Sequence, residues 1–429
     1  MPGRLVRDRS FMNNGPQLRL PTGMRDFAPA AAASRRRIAE TLLGVFERWG
    51  FARVITPAFE YEDVLALGLG GAGRAAAIRF VEPSSGQVVA LRPDITPQIA
   101  RLIATRYRDE AGAIRLCYEG TVVRLERGAR GQRELIQAGV ELAGVAGPHG
   151  DAEMIALGAA ALQAAGLGTP TIDLGHLGLA REVLDAVDLP DGAREEARLC
   201  IGKRDGAGLE EILRAARGPN SASAFAALLP SLSGPPSILA DARKRAPTAG
   251  IKRALAQLQA IVDAVAARTI DARVHVDLGE VRGFDYYTGV RVQGFVPGAP
   301  DAVLAGGRYD DLLGRYGRPC PAVGFAIDVE AAAAVLDARA QQENGGATDG
   351  GHLNLNGNGG VLVVGPAAAA QRLADELRAR GERAAAEPCG LRGAELEAYA
   401  KRWGFGAVVQ TDSGLLSSTR QQQKKKKEQ

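Results

Sequence analysis

The chain has 429 residues, 46% of them hydrophobic and 24% charged, a composition typical of a folded globular protein. This length allows two domains, or one large domain with an insertion. The formal net charge is +4, and "KKKKE" near the end contributes +3 of it through four lysines and one glutamate. The rest of the chain is nearly balanced in charge, which argues against a nucleic-acid-binding body.

Other features exclude membrane, disulfide and metal-binding classes. No apolar run is long enough to cross a bilayer or to form a signal peptide. The cysteines are far apart and form no C-x-x-C pair: Cys117, Cys200, Cys320 and Cys389. Because zinc sites and disulfide frameworks use grouped cysteines, we expect no metal, no cofactor and a reducing, cytoplasmic location.

The first predicted elements are a helix, two short strands and a second helix. Residues 1–20 are expected to be flexible, and "RRRIAETLLGVFERWGF" carries apolar residues at helical spacing up to Gly50. Strands are predicted in "ARVITPAFE" and "GQVVALRPD". In "TPQIARLIATRYRDE", Thr96 is suited to cap a helix and Pro97 to occupy its first position.

Two further strands, "AIRLCYEGTVVRLE" and "QRELIQAGVELAG", enclose an arginine-rich loop. Apolar residues alternate along the second strand, which predicts an antiparallel sheet with one face on the core. The other face carries Gln137 and Glu141, and Arg124 lies in the preceding strand. Together they favour a ligand site, because arginine suits carboxylate or phosphate recognition. Arg127 and Arg130 are expected to be solvated in the loop.

The middle of the chain predicts a helical insertion over about 183–262, where alanine and leucine recur at helical spacing. Strands return in "ARVHVDLGEV", "DYYTGVRVQGFV", "AVLAGGRYD" and "PAVGFAID", so the main domain is expected to span 21–340. Residues 341–360 have the composition of a linker and 361–417 predict a small α/β segment. The basic tail, 418–429, is expected to be disordered.

Two segments near the start of the chain could carry chemistry. "GLGGAG" fits G-x-G-x-x-G at Gly68, Gly70 and Gly73. A helical segment precedes it and a strand follows, the reverse of a dinucleotide cradle, so we expect a flexible loop. Asp94 and Thr96 stand at a strand end before a helix. They could bind an amino group or serve only as turn and cap residues, and both interpretations stay open for this segment.

"EVRGFDYYTGV" is the most unusual segment of the chain. It is predicted as a strand with Arg282, Phe284 and Tyr286 on one side, while Gly283 and Gly289 allow close approach of the backbone. Buried tyrosines usually only pack and donate one hydrogen bond. An Arg-Gly pair beside Tyr-Tyr-Thr-Gly is hard to explain as core filling and favours a binding site.

From about Leu20 to Ala338 these segments together resemble the histidyl-tRNA synthetases. "LPTGMRDFAP" is similar to an N-terminal element of that family, "RWGFARVITPAFE" to its first class motif, used in dimerisation, and "VVRLERGARGQRELIQAGVEL" to its second. "VRGFDYYTG" matches the histidine-specific signature nearly residue for residue. The resemblance implies an α+β fold: a class II aminoacyl-tRNA synthetase-like antiparallel sheet of six or seven strands flanked by helices. It also implies a homodimer formed through this domain.

The resemblance further implies a histidine pocket on the open face of the sheet. Carboxylates would hold the ammonium group of histidine, and tyrosine and Glu141 would hold its imidazole. Carried over by position, the histidine-binding residues are Asp94, Thr96, Arg124, Gln137, Glu141, Arg282, Tyr286 and Tyr287. Asp94 departs from the family, which has glutamate at that place.

The third motif of the family, G-F-A-x-G-x-E-R, is altered at its ATP site. The matching stretch is "GFAIDVEA", with Asp328 in place of glycine and Ala331 in place of the arginine that grips the γ-phosphate. Losing preorganised electrostatic stabilisation costs several kcal/mol, so activation of histidine should be crippled. The segment after residue 360 also looks like a truncated version of the anticodon-binding domain of the family.

With these departures, the chain resembles a paralogous family, the regulatory subunits of ATP phosphoribosyltransferase. The segment "LRPDITPQIAR", which has Asp94 instead of glutamate, looks like the version found in that group. The resemblance implies a catalytically silent chain that joins a short-form catalytic subunit in a hetero-octamer. It would support the first step of histidine biosynthesis and feedback inhibition by histidine, with no tRNA and no membrane as partner. The alternatives are an active histidyl-tRNA synthetase and a free-standing histidine-sensing module.

Overall fold

The computed structural model describes residues 19–110, 112–125, 131–190, 192–217, 220–268, 270–282, 287–343, 360–387, 390–412 and 415–417. Its strands are β1 (Ala52–Arg53), β2 (Phe59–Tyr61), β3 (Arg79–Val81), β4 (Val88–Leu91), β5 (Ile114–Val123), β6 (Glu134–Ala143), β7 (Thr171–His176), β8 (Ser233–Gly234), β9 (Arg273–Asp277), β10 (Val290–Phe295), β11 (Leu304–Arg308), β12 (Ala322–Asp328), β13 (Gly360–Val364), β14 (Ala384–Ala386), β15 (Phe405–Asp412) and β16 (Leu415–Ser417).

One helix precedes the first strand, and the others lie between later strands. They are α1 (Pro29–Arg48), α2 (Glu62–Gly68), α3 (Gly71–Ala76), α4 (Thr96–Arg106), α5 (His149–Ala164), α6 (Leu177–Ala186), α7 (Ala193–Lys203), α8 (Gly206–Arg214), α9 (Asn220–Leu228), α10 (Ile238–Arg245), α11 (Ala249–Ala266), α12 (Leu312–Arg315), α13 (Val329–Glu343), α14 (Ala367–Ala379) and α15 (Gly393–Arg402). A short 3-10 helix covers Leu229–Ser231.

A nine-stranded sheet in the order β1-β5-β6-β12-β11-β10-β7-β9-β8 forms the centre of the molecule. The resemblance implied six or seven antiparallel strands, whereas this sheet is mixed, because β1 pairs with β5 and β7 with β9 in parallel. Parallel neighbours need a long crossover connection, and helices α6–α11 supply it between β7 and β9. The edge strands β1 and β8 have two residues each and could not be read from the sequence pattern.

One face of the central sheet is the main hydrophobic core. Leu42 and Phe46 of α1 are fully buried against it, and the Phe46 ring meets Phe325 of β12 edge-on at 5.8 Å between centroids. The alternation predicted for β6 is confirmed, since Val140 and Leu142 are fully buried on this face. The opposite face of β6 therefore does not belong to the main core, and the candidate site lies on that face.

Three local predictions differ from the structure. Helix α4 begins at Thr96, with Ile95 at the cap position and no side-chain cap, so the predicted Thr96 cap is wrong. The glycine-rich stretch around Gly70 forms helix α3 rather than a flexible loop, because Arg74 ties it to the Ala66 carbonyl oxygen of α2.

Arg282 lies in a turn after β9 and not in a strand, with its backbone N–H donating to its neighbour Glu280. That local bond from N–H to carboxylate replaces a ladder bond to a neighbouring strand. Gly283, Phe284 and Tyr286, predicted to lie beside Arg282, fall outside the described residues.

The ends of the chain and the insertion follow the predicted order of elements. Helices α6–α11 extend beyond the predicted 183–262 at both ends and enclose β8. After the predicted linker, whose residues 344–359 fall outside the described part, the small α/β segment builds its own sheet in the order β14-β13-β15-β16. Helix α13 takes the first three positions of that linker and β13 its last. The predicted division of the chain into domains stays a prediction.

The N-terminal arm is held to the start of α13 by a buried ion pair. Arg35 of α1 donates to the Glu330 carboxylate at 2.9 Å, and the two side chains are 8% and 1% exposed. Arg25 donates to the same carboxylate. Both guanidinium groups also lie over the Phe27 ring, that of Arg25 at 4.6 Å and that of Arg35 at 4.2 Å from the ring centroid. Since a cation over an aromatic face is attracted to it, the arm and α13 are fixed together.

We expect Glu330→Ala to lower the free energy of unfolding by about 3 kcal/mol, because the substitution leaves the Arg35 guanidinium buried without its partner. Urea unfolding followed by circular dichroism measures the change. The matched control is Glu40→Ala, which breaks an exposed pair with Arg36 on the same helix and should cost under about 0.5 kcal/mol. Equal effects of the two substitutions would contradict the structural role of the buried pair.

Candidate functional site

A cavity of about 250 Å³ opens on the face of the sheet away from the main core. Strands β6, β11 and β12 form its floor, and the turn leading into α4 forms one wall. Six of the residues predicted to bind histidine or to replace the ATP site line it, namely Asp94, Thr96, Arg124, Gln137, Tyr287 and Asp328. The structure thus brings together residues that lie up to 234 positions apart in the chain, from 94 to 328.

The register of β6 against β12 sets the layout of the floor. Three cross-strand pairs face the cavity side: Gln137 opposite Asp328, Gly139 opposite Ala326 and Glu141 opposite Gly324. Alternate residues of a strand share a face, so these pairs form a row of successive rungs. The polar side chains stand at the two ends of the row, and small residues occupy its middle.

At two positions in the floor, neighbouring atoms approach the backbone so closely that only glycine fits. A Cβ atom at Gly324 would lie 1.9 Å from Oε2 of Glu141. A Cβ atom at Gly139 would lie 2.5 Å from the Tyr118 hydroxyl oxygen. Any larger residue at either position would displace the buried polar groups, so both glycines preserve the inner end of the cavity.

Glu141 does not itself line the cavity: it is buried beside Gly324, which does, and 3% of the residue is exposed. The Tyr118 hydroxyl donates to its Oε1 at 3.3 Å, while Oε2 has no hydrogen-bond partner among the described residues. Burial raises the pKa of Glu141 well above its ordinary value, and the negative charge of Asp94 raises it further, while a hydrogen bond with Thr96 opposes the shift. The unpartnered oxygen is therefore a buried hydrogen-bond acceptor next to the cavity, behind Gly324.

Two aromatic hydroxyl groups border this inner end. Burial raises the pKa of Tyr287 to about 12, so the phenol stays protonated and can donate a hydrogen bond. Arg291 of β10 lies over the Tyr287 ring, 5.5 Å from its centroid, and limits the shift. Tyr309 is 3% exposed and its ring centroid lies 6.5 Å from that of Tyr287.

The outer end of the cavity, around Gln137 and Asp328, has different chemistry. Nε of Arg124 donates to the Pro93 carbonyl oxygen at 2.9 Å. Asp94, whose Oδ1 accepts from the backbone N–H of Ile95 at 2.8 Å, lies close enough to Glu141 and Tyr287 for its charge to raise the pKa of both. Oε1 of Gln137 is buried and has no hydrogen-bond partner in the described part of the chain.

Asp328 and Ala331 stand together at the start of α13. Oδ1 of Asp328 accepts from the backbone N–H of Ala331 at 2.9 Å. Ala331 is only 4% exposed and belongs to the main core, so it presents no side chain to the cavity.

Arg282 does not line the cavity. Its Nε donates to both carboxylate oxygens of Glu280, at 3.0 and 3.1 Å, and its Nη2 donates to Oε1 of Gln293 at 2.7 Å. Burial would raise the pKa of Glu280, but Arg282 and Arg291 outweigh it and lower that pKa overall. Tyr286 lies outside the described residues, as do Arg127 and Arg130 of the loop.

Sequence reasoning missed several residues that shape the site. Tyr118 faces Gly139 across the β5–β6 pair, and this pairing is what lets its hydroxyl reach Glu141. The alternation of β5 could have placed Tyr118 on the cavity face, had the register been known. Arg291 and Glu280 lie close together, with Nε of the arginine 3.8 Å from the carboxylate, but no short motif joins them.

Among the described residues, no group of three or more His, Cys, Asp and Glu side chains is arranged to hold a metal ion. Within the same residues, no helix combines the length and the apolar character that crossing a membrane demands. Cys117, Cys200 and Cys320 are free thiols.

The sequence and the fold match those of a known class of proteins. Residues 23–332 match the family model described as histidyl-tRNA synthetase. A solved structure from Bacillus halodurans, described as an ATP phosphoribosyltransferase regulatory subunit/histidyl-tRNA synthetase, superposes with a TM-score of 0.78 at 25% identity. The superposition covers 93% of this chain and 99% of that one. The class is therefore that of the histidyl-tRNA synthetase-like proteins with a class II synthetase fold, as the resemblance predicted.

Curated relatives narrow the class to one family. A protein of Geobacter sulfurreducens is 41% identical over 325 residues, covering 76% of this chain and 74% of the relative. A protein of Anaeromyxobacter sp. is 44% identical over 321 residues, covering 75% of this chain and 93% of the relative. Both are named ATP phosphoribosyltransferase regulatory subunit. The chain belongs to this family of regulatory subunits.

The burial of Glu141 predicts a pH dependence of stability. Because folding raises its pKa above the ordinary value of 4.5, the folded chain holds a proton that the unfolded chain releases. Stability should therefore fall as pH rises above 4.5 towards the raised pKa, by up to about 1.4 kcal/mol per pH unit. Glu141→Gln, which cannot titrate, should lack this component.

Urea unfolding of wild type and Glu141→Gln between pH 5 and pH 8, a range of roughly three pH units, tests the prediction. Glu134→Gln is the control, because it removes an exposed carboxylate from the same strand and should follow the wild-type profile. Parallel profiles for wild type and Glu141→Gln would show that the buried carboxyl does not govern this dependence.

Proposed function

We propose that this chain is a non-catalytic regulatory subunit of ATP phosphoribosyltransferase. It joins a short-form catalytic subunit in a hetero-octamer, enables the first step of histidine biosynthesis and takes part in feedback inhibition by histidine. One observation carries the proposal: in a chain of the regulatory-subunit family, a cavity keeps polar groups suited to an amino acid, while Asp328 lines it and the neighbouring Ala331 offers it no cation. We expect this role to be cytoplasmic, in keeping with the free thiols of the described cysteines.

The geometry of α13 supports the absence of aminoacylation, and we expect tRNA not to be a partner. At position 331 the side chain is a buried methyl group, where the matched synthetase motif has arginine. The nearby guanidinium groups of Arg25 and Arg35 are paired with Glu330. A triphosphate at this end of the cavity would thus meet the carboxylate of Asp328 and lack the arginine of the motif. Because the negative charge of the triphosphate would have no such partner, both its binding and its reaction would be weakened.

The cavity chemistry supports histidine as the regulatory ligand. The imidazole would lie at the inner end, where Oε2 of Glu141 is unpartnered and the Tyr287 phenol is protonated. The ammonium group would be held by Asp94 and by Oε1 of Gln137. Arg124 at the outer end is suited to the carboxylate. Arg282 is tied to Glu280 and would need to leave it to take part.

An exposed apolar surface supports a homodimer through the class II domain. It lies on and beside β2, β3 and β4, where large hydrophobic side chains are open to solvent in one chain: Ile55, Phe59, Tyr61, Phe80, Val81 and Val88. Of these residues, Ile55 is 86% exposed. Contiguous apolar surface of this kind is typical of protein–protein interfaces. A second copy of the chain would cover it.

The decisive experiment mixes this chain with a short-form ATP phosphoribosyltransferase catalytic subunit and measures formation of phosphoribosyl-ATP. We expect activity that requires both chains, one complex containing both by light scattering, and inhibition by histidine. Glu141→Ala should raise the histidine concentration needed for half-inhibition about tenfold or more, because a buried hydrogen-bond acceptor for the ligand is lost.

The control is Glu134→Ala, an exposed carboxylate on the same strand, which should leave histidine inhibition unchanged. If no complex and no activity form, the regulatory proposal fails and the histidine-sensing alternative is favoured. If activity appears but Glu141→Ala responds to histidine as wild type does, the inhibitory site lies elsewhere.

A second experiment tests the loss of catalysis. We expect no histidine-dependent ATP–pyrophosphate exchange, since residue 331 offers no cation for the triphosphate. An active histidyl-tRNA synthetase assayed alongside provides the positive control. Clear exchange by this chain would restore the synthetase interpretation.

A further inference from the structure

The cavity is a trough with two chemically different ends. Glu141 and Gln137 are four residues apart on β6, a separation of roughly 13 Å along an extended strand. Gly139 and Ala326 are paired between them, and Ala326 lines the cavity. A ligand with its imidazole at Glu141 therefore directs its other end towards Gln137 and Asp328, which face each other across β6 and β12.

The outer end is rich in hydrogen-bond acceptors. Oε1 of Gln137 is buried without a partner in the described part of the chain, and the Asp328 carboxylate stands opposite it. Nε of Arg124, the cation of this end, already donates to the Pro93 carbonyl oxygen. Acceptors and a carboxylate favour a ligand end with N–H donors, and they disfavour one that adds negative charge.

Asp328 also occupies the place where a helix would otherwise hold an anion. The first turn of α13 directs backbone N–H groups outward, and helix N-termini attract phosphates and carboxylates. Here the N–H of Ala331 is taken by Oδ1 of Asp328 at 2.9 Å. The protein thus supplies the anion itself, and an anionic group on a ligand would have to compete with it.

We propose that Asp328 is a specificity-determining residue that selects the class of ligand. The cavity takes free imidazole amines, and it rejects derivatives that carry an anion beyond the carboxyl carbon, such as acyl phosphates and acyl adenylates. The inference deepens the proposed function and rests on the histidine site assigned there. Asp328 then does more than remove the ATP site, because it makes the remaining site selective.

The experiment compares wild type with Asp328→Asn by titration calorimetry. Asparagine keeps the oxygen that accepts from the Ala331 N–H and caps helices as well as aspartate does, so only the charge changes. The probes are histidine, histidinol, which lacks the carboxylate, and histidyl-sulfamoyl-adenosine, a stable acyl-adenylate analogue. Thermal unfolding of both proteins verifies that the fold is unchanged.

We expect Asp328→Asn to improve the affinity for histidine relative to histidinol about tenfold, because one repulsion between carboxylates is removed. The adenylate analogue should bind the variant more tightly than wild type by a similar or larger factor. Asp337→Asn is the matched control, since this carboxylate lies on the same helix, is 47% exposed and does not line the cavity. It should change none of the ratios.

Two results would overturn the inference. Equal changes for all three probes, or none, would show that the Asp328 charge does not select among ligands, although histidine binding would leave the proposed function standing. Failure of wild type to bind either histidine or histidinol would overturn this inference and the histidine site together. The reconstitution assay would then decide separately whether the regulatory role survives.

Discussion

The pairing of β6 with β12 is the constraint on which the rest of the site depends. Its register places Glu141 opposite Gly324 and Gln137 opposite Asp328. A shift by one residue would turn these side chains into the main core and expose Val140 and Phe325 in their place. The buried helices on the core face therefore hold the cavity face in position, and the chemistry of the site is a consequence of packing on the other side of the sheet.

Burial gives the two ends of the trough different electrostatic character. At the inner end, removal from water favours the neutral form of Glu141, and Tyr118 and Thr96 surround it with hydroxyl groups. At the outer end, Asp328 is half-buried and satisfied in part by a helix N–H. One ligand could thus meet a hydrogen-bonding inner end and a charged outer end, and this difference would fix its orientation.

Much of the fold could be predicted from the sequence, because the informative patterns are local or lie within recognisable motifs. The alternation along β6 placed Gln137 and Glu141 on one face, and the third motif marked Asp328. The parts that could not be predicted depend on tertiary pairing. Arg282 lies in a turn because Glu280 captures it, and the two-residue edge strands have no pattern of their own.

The double engagement of Asp328 also bears on how such a chain could change over evolutionary time. Its carboxylate caps α13 while the residue lines the cavity. A single reversion to glycine would give up a cap worth a few tenths of a kcal/mol up to about 1 kcal/mol, and with Ala331 still in place no triphosphate would be gripped in return. On the proposed function, a change from Asp328 to glycine alone would therefore cost stability and bring no activity in exchange.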